Sequence, residues 1–415
     1  MIVGLDLGTS SIRVAIGELD EQGKIQIAGT AVKKSKGLRN GVIVNIEDAK
    51  DAIREAVEAA EQNAGFEVTS VVTAIGGAQI ESQNSRGVVP VRSGGKNNRE
   101  ITRDDVDRVI ENATAIIIPD DREKLHVIAQ DYIVDGYGGI TDPIHRIGIR
   151  LEAEVHIVTA AKTIIQNLRS CILRAGYSLN GVFLKTLVQT QSVCHDDELE
   201  LGSILIDLGA GTTDVIVLLN GAPISTASIP LGGNVVTSDI ANSVKIPVAE
   251  AERIKVESGC CWLPGIRNDA DVIIPGVGNR APDVIKQSLL CQIIQARMMD
   301  VFVMVRNAVI QNTSDSIKQL SGNIILTGGG AQMEGVVELA QAVFKTSSVR
   351  IGVPENLGGI EENYRRPDFA TAIGLVVANK KMAAERDAHK KPHVRQGKTS
   401  GGKENVFKKI KNIFF

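Results

Sequence analysis

The stretch Gly4-Leu5-Asp6-Leu7-Gly8-Thr9-Ser10-Ser11 returns about 200 residues later as Leu205-Ile206-Asp207-Leu208-Gly209-Ala210-Gly211-Thr212-Thr213. Each copy is an apolar run, then Asp-Leu-Gly, then small hydroxyl residues, then a second apolar run (residues 12–18 and 215–219). The pattern reads as strand, turn, strand, and its return in matched context implies a duplicated domain. Glycine at each turn lets backbone N–H groups approach an anion with no Cβ in the way. Gly8, Thr9 and Ser10 supply the first turn, and Gly209, Gly211, Thr212 and Thr213 the second. Two such hairpins face to face can hold a polyphosphate from both sides, with Arg13 reaching back to it. Asp6 and Asp207 end their strands, where carboxylates can hold a hydrated Mg²⁺, an ion that keeps most of its waters. One copy alone could be an Asx-type turn; the pair carries the reading.

A third element supports it. Residues 323–327 read as a strand, followed by Gly328-Gly329-Gly330 and a helix expected over 332–344. The glycines permit close approach of a nucleoside, and the helix start at Gln332 would face a polar ligand.

Around these motifs the chain reads as α/β. Strands are expected at 2–6, 12–18, 24–32 and 71–75, and a helix at 47–64, where Ala49, Ile53, Ala56, Val57 and Ala60 recur at helical spacing. From about residue 81 the texture turns polar. A helix over 104–115 capped by Thr102, then strands at 126–134 and 153–160, suggest an inserted subdomain over 81–160. A helix at 163–175, three strands at 203–207, 215–219 and 223–229, and helices at 236–244, 248–257, 283–313 and 370–378 complete the body.

Composition narrows the class. At 415 residues the chain exceeds one small core, and 43% hydrophobic with 23% charged residues is ordinary for a folded protein. Aromatics at 3% argue against a single-strand nucleic-acid platform or a carbohydrate module, and no nucleic-acid partner is expected. Five cysteines form no CxxC pair and six histidines no HExxH, so neither a disulfide framework nor a zinc site is expected, and the compartment should be reducing. No run of 18 apolar residues suggests a spanning helix, and the first residues do not read as a signal peptide. Gly397-Lys398-Thr399 is no P-loop, because Pro392 stands where the first glycine belongs.

The net charge of −3 hides an asymmetry: residues 379–415 hold eleven Lys/Arg against three Asp/Glu, leaving an acidic body with a basic tail. Within the tail, Val406, Phe407, Ile410, Ile413 and Phe414 fall on one helical face, with Lys408, Lys409 and Lys411 opposite and Phe415 at the end. That is the pattern of an interfacial helix on an anionic membrane surface. A polar linker is expected over 379–404, with a reach of roughly 28 Å if flexible. One short helix with three lysines anchors weakly, so stable attachment calls for many tails acting together, as in a homopolymer.

The two phosphate-type hairpins and the glycine turn resemble the actin, Hsp70 and sugar-kinase superfamily. Within it the chain is similar over nearly its whole length to the FtsA family of bacterial cell-division proteins, through residues 4–17, 72–91, 205–214, 229–240, 274–278 and 367–374 and the terminal amphipathic segment. The resemblance implies an actin-like, duplicated ribonuclease-H-like α/β fold, two domains about a nucleotide cleft, with an inserted subdomain of the kind called 1C. It implies subdomain 1A over 1–80, 161–192 and 348–378, 1C over 81–160, 2A over 193–233 and 314–347, 2B over 234–313, the linker over 379–404 and a membrane helix over 405–415. It further implies ATP and Mg²⁺ as cofactors, self-association, attachment to the cytoplasmic face of the inner membrane at the division site, binding of the C-terminal tail of the tubulin-like FtsZ, and contact of later division proteins with 1C. Gly232, Gly233, Gly328, Gly329 and Gly330 match nucleotide-facing turns, Glu252 and Lys255 fall where the superfamily meets the ribose or base, and Arg297 matches an arginine of the FtsZ-binding subdomain.

Asp207 is the candidate catalytic carboxylate, but the sequence departs from the family in the connecting helix. Where the connecting helix often reads Glu-Pro-Leu-Ala-Ser-Ala, this chain has Lys185-Thr186-Leu187-Val188-Gln189-Thr190, and Ala210 replaces a glycine. A charged lysine donates hydrogen bonds but accepts no proton, so it orients an attacking water poorly. ATP binding with slow or absent hydrolysis is expected. A pilus-assembly adaptor of the same superfamily and a small-molecule kinase are the alternative readings.

Overall fold

In the computed structural model, residues 1–91, 99–276, 281–313, 323–355, 357–359 and 364–390 are described. Strand Ile2–Leu7 pairs antiparallel with Ser11–Leu19, which places Asp6 opposite Arg13. Strand Ser203–Leu208 pairs in the same way with Thr213–Leu219, which places Asp207 opposite Asp214. Both leading strands are buried at every position, which is why they read as unbroken apolar runs rather than alternating ones.

The duplication extends past the hairpins. In the first sheet the order runs Ile25–Lys34, Ser11–Leu19, Ile2–Leu7, Ser70–Ile75, Ser178–Leu184, and in the second Ala222–Ile229, Thr213–Leu219, Ser203–Leu208, Asn323–Thr327, Val349–Ile351. Each shares two antiparallel pairings followed by two parallel ones, and the first sheet adds Gly358–Gly359 as a sixth, parallel edge strand beside Ile25–Lys34. The parallel pairings require crossovers, which the helices supply. Ile46–Ala64 is one of these. Asn45 caps it by accepting from the N–H groups of Glu47 and Asp48, Gly65 ends it at φ 72°, and Ala49, Ala52, Ile53, Ala56, Val57 and Ala60 are buried. Each half has its own core, one around Leu5, Ile53 and Leu187 and the other around Ile206, Ile240 and Phe302.

The inserted segment forms a four-stranded antiparallel sheet ordered Tyr137–Ile140, Arg122–Val134, Arg150–Ala161, Ile80–Pro90. Helix Arg103–Ala113 lies across it, started by a capping box between Thr102 and Asp105. Val89, Val109, Leu151, Val155 and Ile157 belong to its separate core. Strand Ile80–Pro90 is absent from the sequence reading because its residues are mostly polar; an eleven-residue register with Arg150–Ala161 makes it a strand. The insertion also touches the second half. Asn84 Nδ2 donates to the Ile224 carbonyl at 3.0 Å and Gln130 Nε2 to the Pro223 carbonyl at 2.8 Å.

Several expected elements shift. The helix expected at 283–313 begins at Gln287, because Asp283–Lys286 pairs as a strand with Asp271–Ile274. The helix expected from 332 is a single 3₁₀ turn, Gly329–Gln332, followed by Val336–Phe344; Gly335 interrupts it at φ 79° against Trp262. The final helix runs Ala370–Lys390, well beyond the expected end at 378, so the first twelve residues of the expected linker are helical and the 28 Å reach does not hold. Helix Gln287–Thr313 is apolar and long enough by composition to cross a bilayer. Its buried Leu290, Ile294, Phe302 and Val305 instead belong to the second core. Residues 391–415, including the whole expected membrane helix Val406, Phe407, Lys408, Lys409, Ile410, Lys411, Ile413, Phe414 and Phe415, lie outside the described residues.

Candidate functional site

The two hairpin turns converge on one cavity of about 530 Å³ between the halves. Gly8, Thr9, Ser10 and Arg13 line it from the first half, and Gly209, Gly211, Thr212 and Thr213 from the second. Gly232, Gly233, Glu252, Lys255, Gly328, Gly329, Gly330 and Gln332 complete the wall, with Asp6 and Asp207 at its floor. Every residue that the sequence nominated for the nucleotide or metal thus borders the same space. The two turns are built alike: a Cβ on Gly8 would sit 2.6 Å from the Ser11 carbonyl, and one on Gly209 would sit 2.8 Å from the Thr212 carbonyl. Gly328, at φ 81°, brings its backbone so close that a Cβ would lie 2.2 Å from Asp207 Oδ1. A Cβ on Gly329 meets open space in the cavity.

The side chains are more committed than the sequence suggested. Thr212 Oγ1 donates to Asp214 Oδ2 at 3.2 Å and Thr213 Oγ1 to the Leu231 carbonyl at 2.9 Å, so these hydroxyls serve the fold. Arg13 pairs with the buried Asp368 at 2.7 Å, and Arg366 meets the same carboxylate at 2.8 Å. Lys255 Nζ binds Glu252 Oε2 at 2.6 Å, Thr237 Oγ1 at 2.9 Å and the Gly233 carbonyl at 3.1 Å, tying two helices together beside the cavity. The expected helix N-terminus at Gln332 does not face the cavity as a helix, since only the 3₁₀ turn is there. Arg297 stands apart, on helix Gln287–Thr313, with Nε 2.6 Å from Asp239 Oδ2.

Among the cavity residues that the sequence reading did not nominate as ligand-facing are Asp214, Gln189, Arg366 and Asp368. Asp214 was detectable, since it stands opposite Asp207 as Arg13 stands opposite Asp6. It accepts from the Gly77 N–H at 3.0 Å. The other three arrive from distant segments and leave no local signal.

The floor gathers buried charge. Asp6, Asp207 and Asp214 are all nearly inaccessible, and Lys185 Nζ lies 2.8 Å from Asp207 Oδ2. Burial pushes the Asp6 carboxyl above its ordinary range, against the pull of Lys185 and Arg13. Burial raises Asp214 likewise, again opposed by Lys185. For Lys185 burial works against the charge, but Asp207, Asp6 and Asp214 together hold its ammonium above the ordinary lysine value. Apart from Lys185, neither Asp207 oxygen has a hydrogen-bond partner among the described residues. The glycine-lined turns fit a polyphosphate. The acids fit a divalent cation less well as they stand, because the lysine already holds Asp207. No three His, Cys, Asp or Glu side chains among the described residues are placed to ligate a metal themselves.

Two sheets that share one five-strand arrangement about a glycine-lined cleft define an actin-like fold with an inserted subdomain. Solved structures agree on that class: the PilM-PilN type IV pilus biogenesis complex (TM-score 0.65, 15% identity, 91% of this chain and 98% of that one) and MreB5 of Spiroplasma citri bound to ADP (TM-score 0.54, 14% identity, 94% and 98%). Residues 204–374 match the family described as cell division protein FtsA, and residues 77–159 match the SHS2 domain inserted in FtsA. The chain is 41% identical to cell division protein FtsA of Borreliella burgdorferi (91% of this chain, 90% of the relative) and 40% identical to that of Neisseria meningitidis (96% and 94%). With that of Escherichia coli K12 it shares 34% (91% and 89%). The chain belongs to the FtsA family of cell-division proteins.

Proposed function

We propose that the cleft binds ATP and that the chain is a self-associating adaptor, tying the FtsZ ring to the cytoplasmic face of the inner membrane at the division site. The observation that carries the nucleotide reading is the convergence of two equivalent glycine turns and the Gly328–Gly330 turn on one cavity. Backbone amides at such turns suit phosphate oxygens. The ribose or base would lie toward Glu252 and Lys255, while Asp6 and Asp207 fit Mg²⁺ less well because Lys185 already holds Asp207.

Hydrolysis is slow in this reading. Lys185 heads the helix where a water-orienting acceptor would stand, and its ammonium, held charged by three carboxylates, accepts no proton. The attachment reading rests on the tail, whose Phe and Ile face and lysine face suit an anionic bilayer. Weak single anchors make self-association part of the same proposal. Arg297 would take part in binding the FtsZ tail after exchanging Asp239 for an acidic group of that peptide. The inserted subdomain, with a core of its own, would present a surface to later division proteins.

Co-sedimentation tests the whole reading. The chain should pellet with anionic vesicles, more in ATP than without it, and should carry an FtsZ tail peptide down with it. No effect of ATP, and equal pelleting with neutral vesicles, would overturn it. The pilus-adaptor alternative shares the fold at 15% identity, against about 40% for the division proteins. Binding of the FtsZ tail peptide separates the two. A small-molecule kinase would need no membrane tail, and phosphate transfer from ATP to a panel of sugars would reveal it.

A further inference from the structure

The lysine that displaces the water-orienting group also holds the carboxylate nominated for the metal. Lys185 is the first residue of helix Lys185–Val193. The preceding Leu184 is fixed by its N–H, which donates to the buried His126 Nε2 at 2.8 Å. The lysine side chain is 19% exposed and that of Asp207 is 1% exposed, with 2.8 Å between Nζ and Oδ2. Among the described residues, Lys185 is the one polar group that reaches Asp207's oxygens, while Arg13 is drawn away to Asp368. An ammonium and a divalent cation cannot both occupy that face of Asp207. An ammonium has three N–H donors in rotatable directions, so it can keep Asp207 and still reach a phosphate oxygen.

We propose that Lys185 is a resident cation of the cleft: it takes the place at Asp207 that a divalent metal would occupy, so a nucleoside triphosphate binds here with little dependence on metal. The inference rests on the ATP-binding reading. It gives the departure at Lys185 a role in binding rather than only a deficit in hydrolysis.

The test is equilibrium binding of a fluorescent ATP analogue to the full chain, with excess Mg²⁺ and with EDTA. For the wild-type chain the two dissociation constants should agree within about threefold, or less than about 0.7 kcal/mol. In Lys185→Met the metal should become necessary. Binding in EDTA should weaken by about tenfold or more relative to Mg²⁺, the size expected when one charge-assisted contact is lost. Lys185→Arg keeps the charge and should stay close to wild type. Circular dichroism and melting show whether Lys185→Met is folded. If it is not, the wild-type pair of constants and the arginine variant still decide. A wild-type affinity that falls tenfold or more on chelation overturns the proposal and leaves ATP binding standing. An unchanged Mg²⁺-to-EDTA ratio in folded Lys185→Met overturns it too, since a merely structural ion pair would not move that ratio. No saturable binding in either condition overturns the ATP reading, and this inference with it.

Discussion

Acid should loosen the seam between the inserted subdomain and the cleft, through two buried histidines. His126 is 2% exposed and His156 is 1% exposed. His126 accepts the Leu184 N–H, and His156 lies 2.7 Å from Asn84 Oδ1 and 3.4 Å from Thr226 Oγ1 in the second half. Burial, with the neighbouring His156 adding to it, lowers the pKa of His126 to about 3, and burial alone lowers that of His156 to about 4, from an ordinary value of 6.5. A depressed pKa means that the unfolded chain binds the proton first. The stabilisation is therefore complete above about pH 6.5 and is lost progressively as pH falls toward the folded values. At about pH 5 each site is about 1.5 units below its unfolded pKa, which costs about 2 kcal/mol per histidine and about 4 kcal/mol for the pair. That is a large share of a typical folding stability. Asp6 and Asp214 act oppositely, since carboxyls raised by burial gain protons on folding as pH falls. The histidine effect must therefore be isolated by comparing variants. Urea unfolding at about pH 7.5 and about pH 5, for wild type and for His126→Gln with His156→Gln, is the assay. The double variant starts less stable, but its loss on acidification should be smaller by about 4 kcal/mol. An equal loss in the two proteins would refute the argument.

Other consequences are as direct. Gly329→Val puts a branched side chain into open cavity space, so it should weaken binding of a fluorescent ATP analogue by about tenfold or more while leaving the melting temperature within a few degrees. Steady-state ATP turnover, read by phosphate release, should stay below about 1 s⁻¹ because Lys185 accepts no proton. Phe407→Glu or Phe414→Glu should abolish co-sedimentation with anionic vesicles without affecting ATP binding. Lys408→Ala with Lys409→Ala should cost less, and the difference should shrink at high salt, where headgroup attraction is already screened.

The sequence by itself determined the duplication, because an apolar strand ending in Asp-Leu-Gly and a hydroxyl turn is a local pattern that survives in each copy. From that repeat came the paired phosphate turns and the cleft between them; the Gly328–Gly330 turn was a second local pattern, while Gly232, Gly233, Glu252 and Lys255 came only from the family resemblance. The helix started by Thr102 was legible for the same reason: the cap acts on its own neighbours. What local pattern could not reach was decided in three dimensions. Strand Ile80–Pro90 exists through its partner, Asp283–Lys286 is a strand because Asp271–Ile274 lies beside it, and the expected helix at Gln332 yields to the packing of Gly335 against Trp262. The charge arrangement is the clearest case. Nothing near Lys185 in sequence announces Asp207, and nothing near Arg13 announces Asp368, yet each pair sits within 3 Å. Coulombic partners are chosen by distance in space and by the burial that removes water from between them, and only the folded chain sets both.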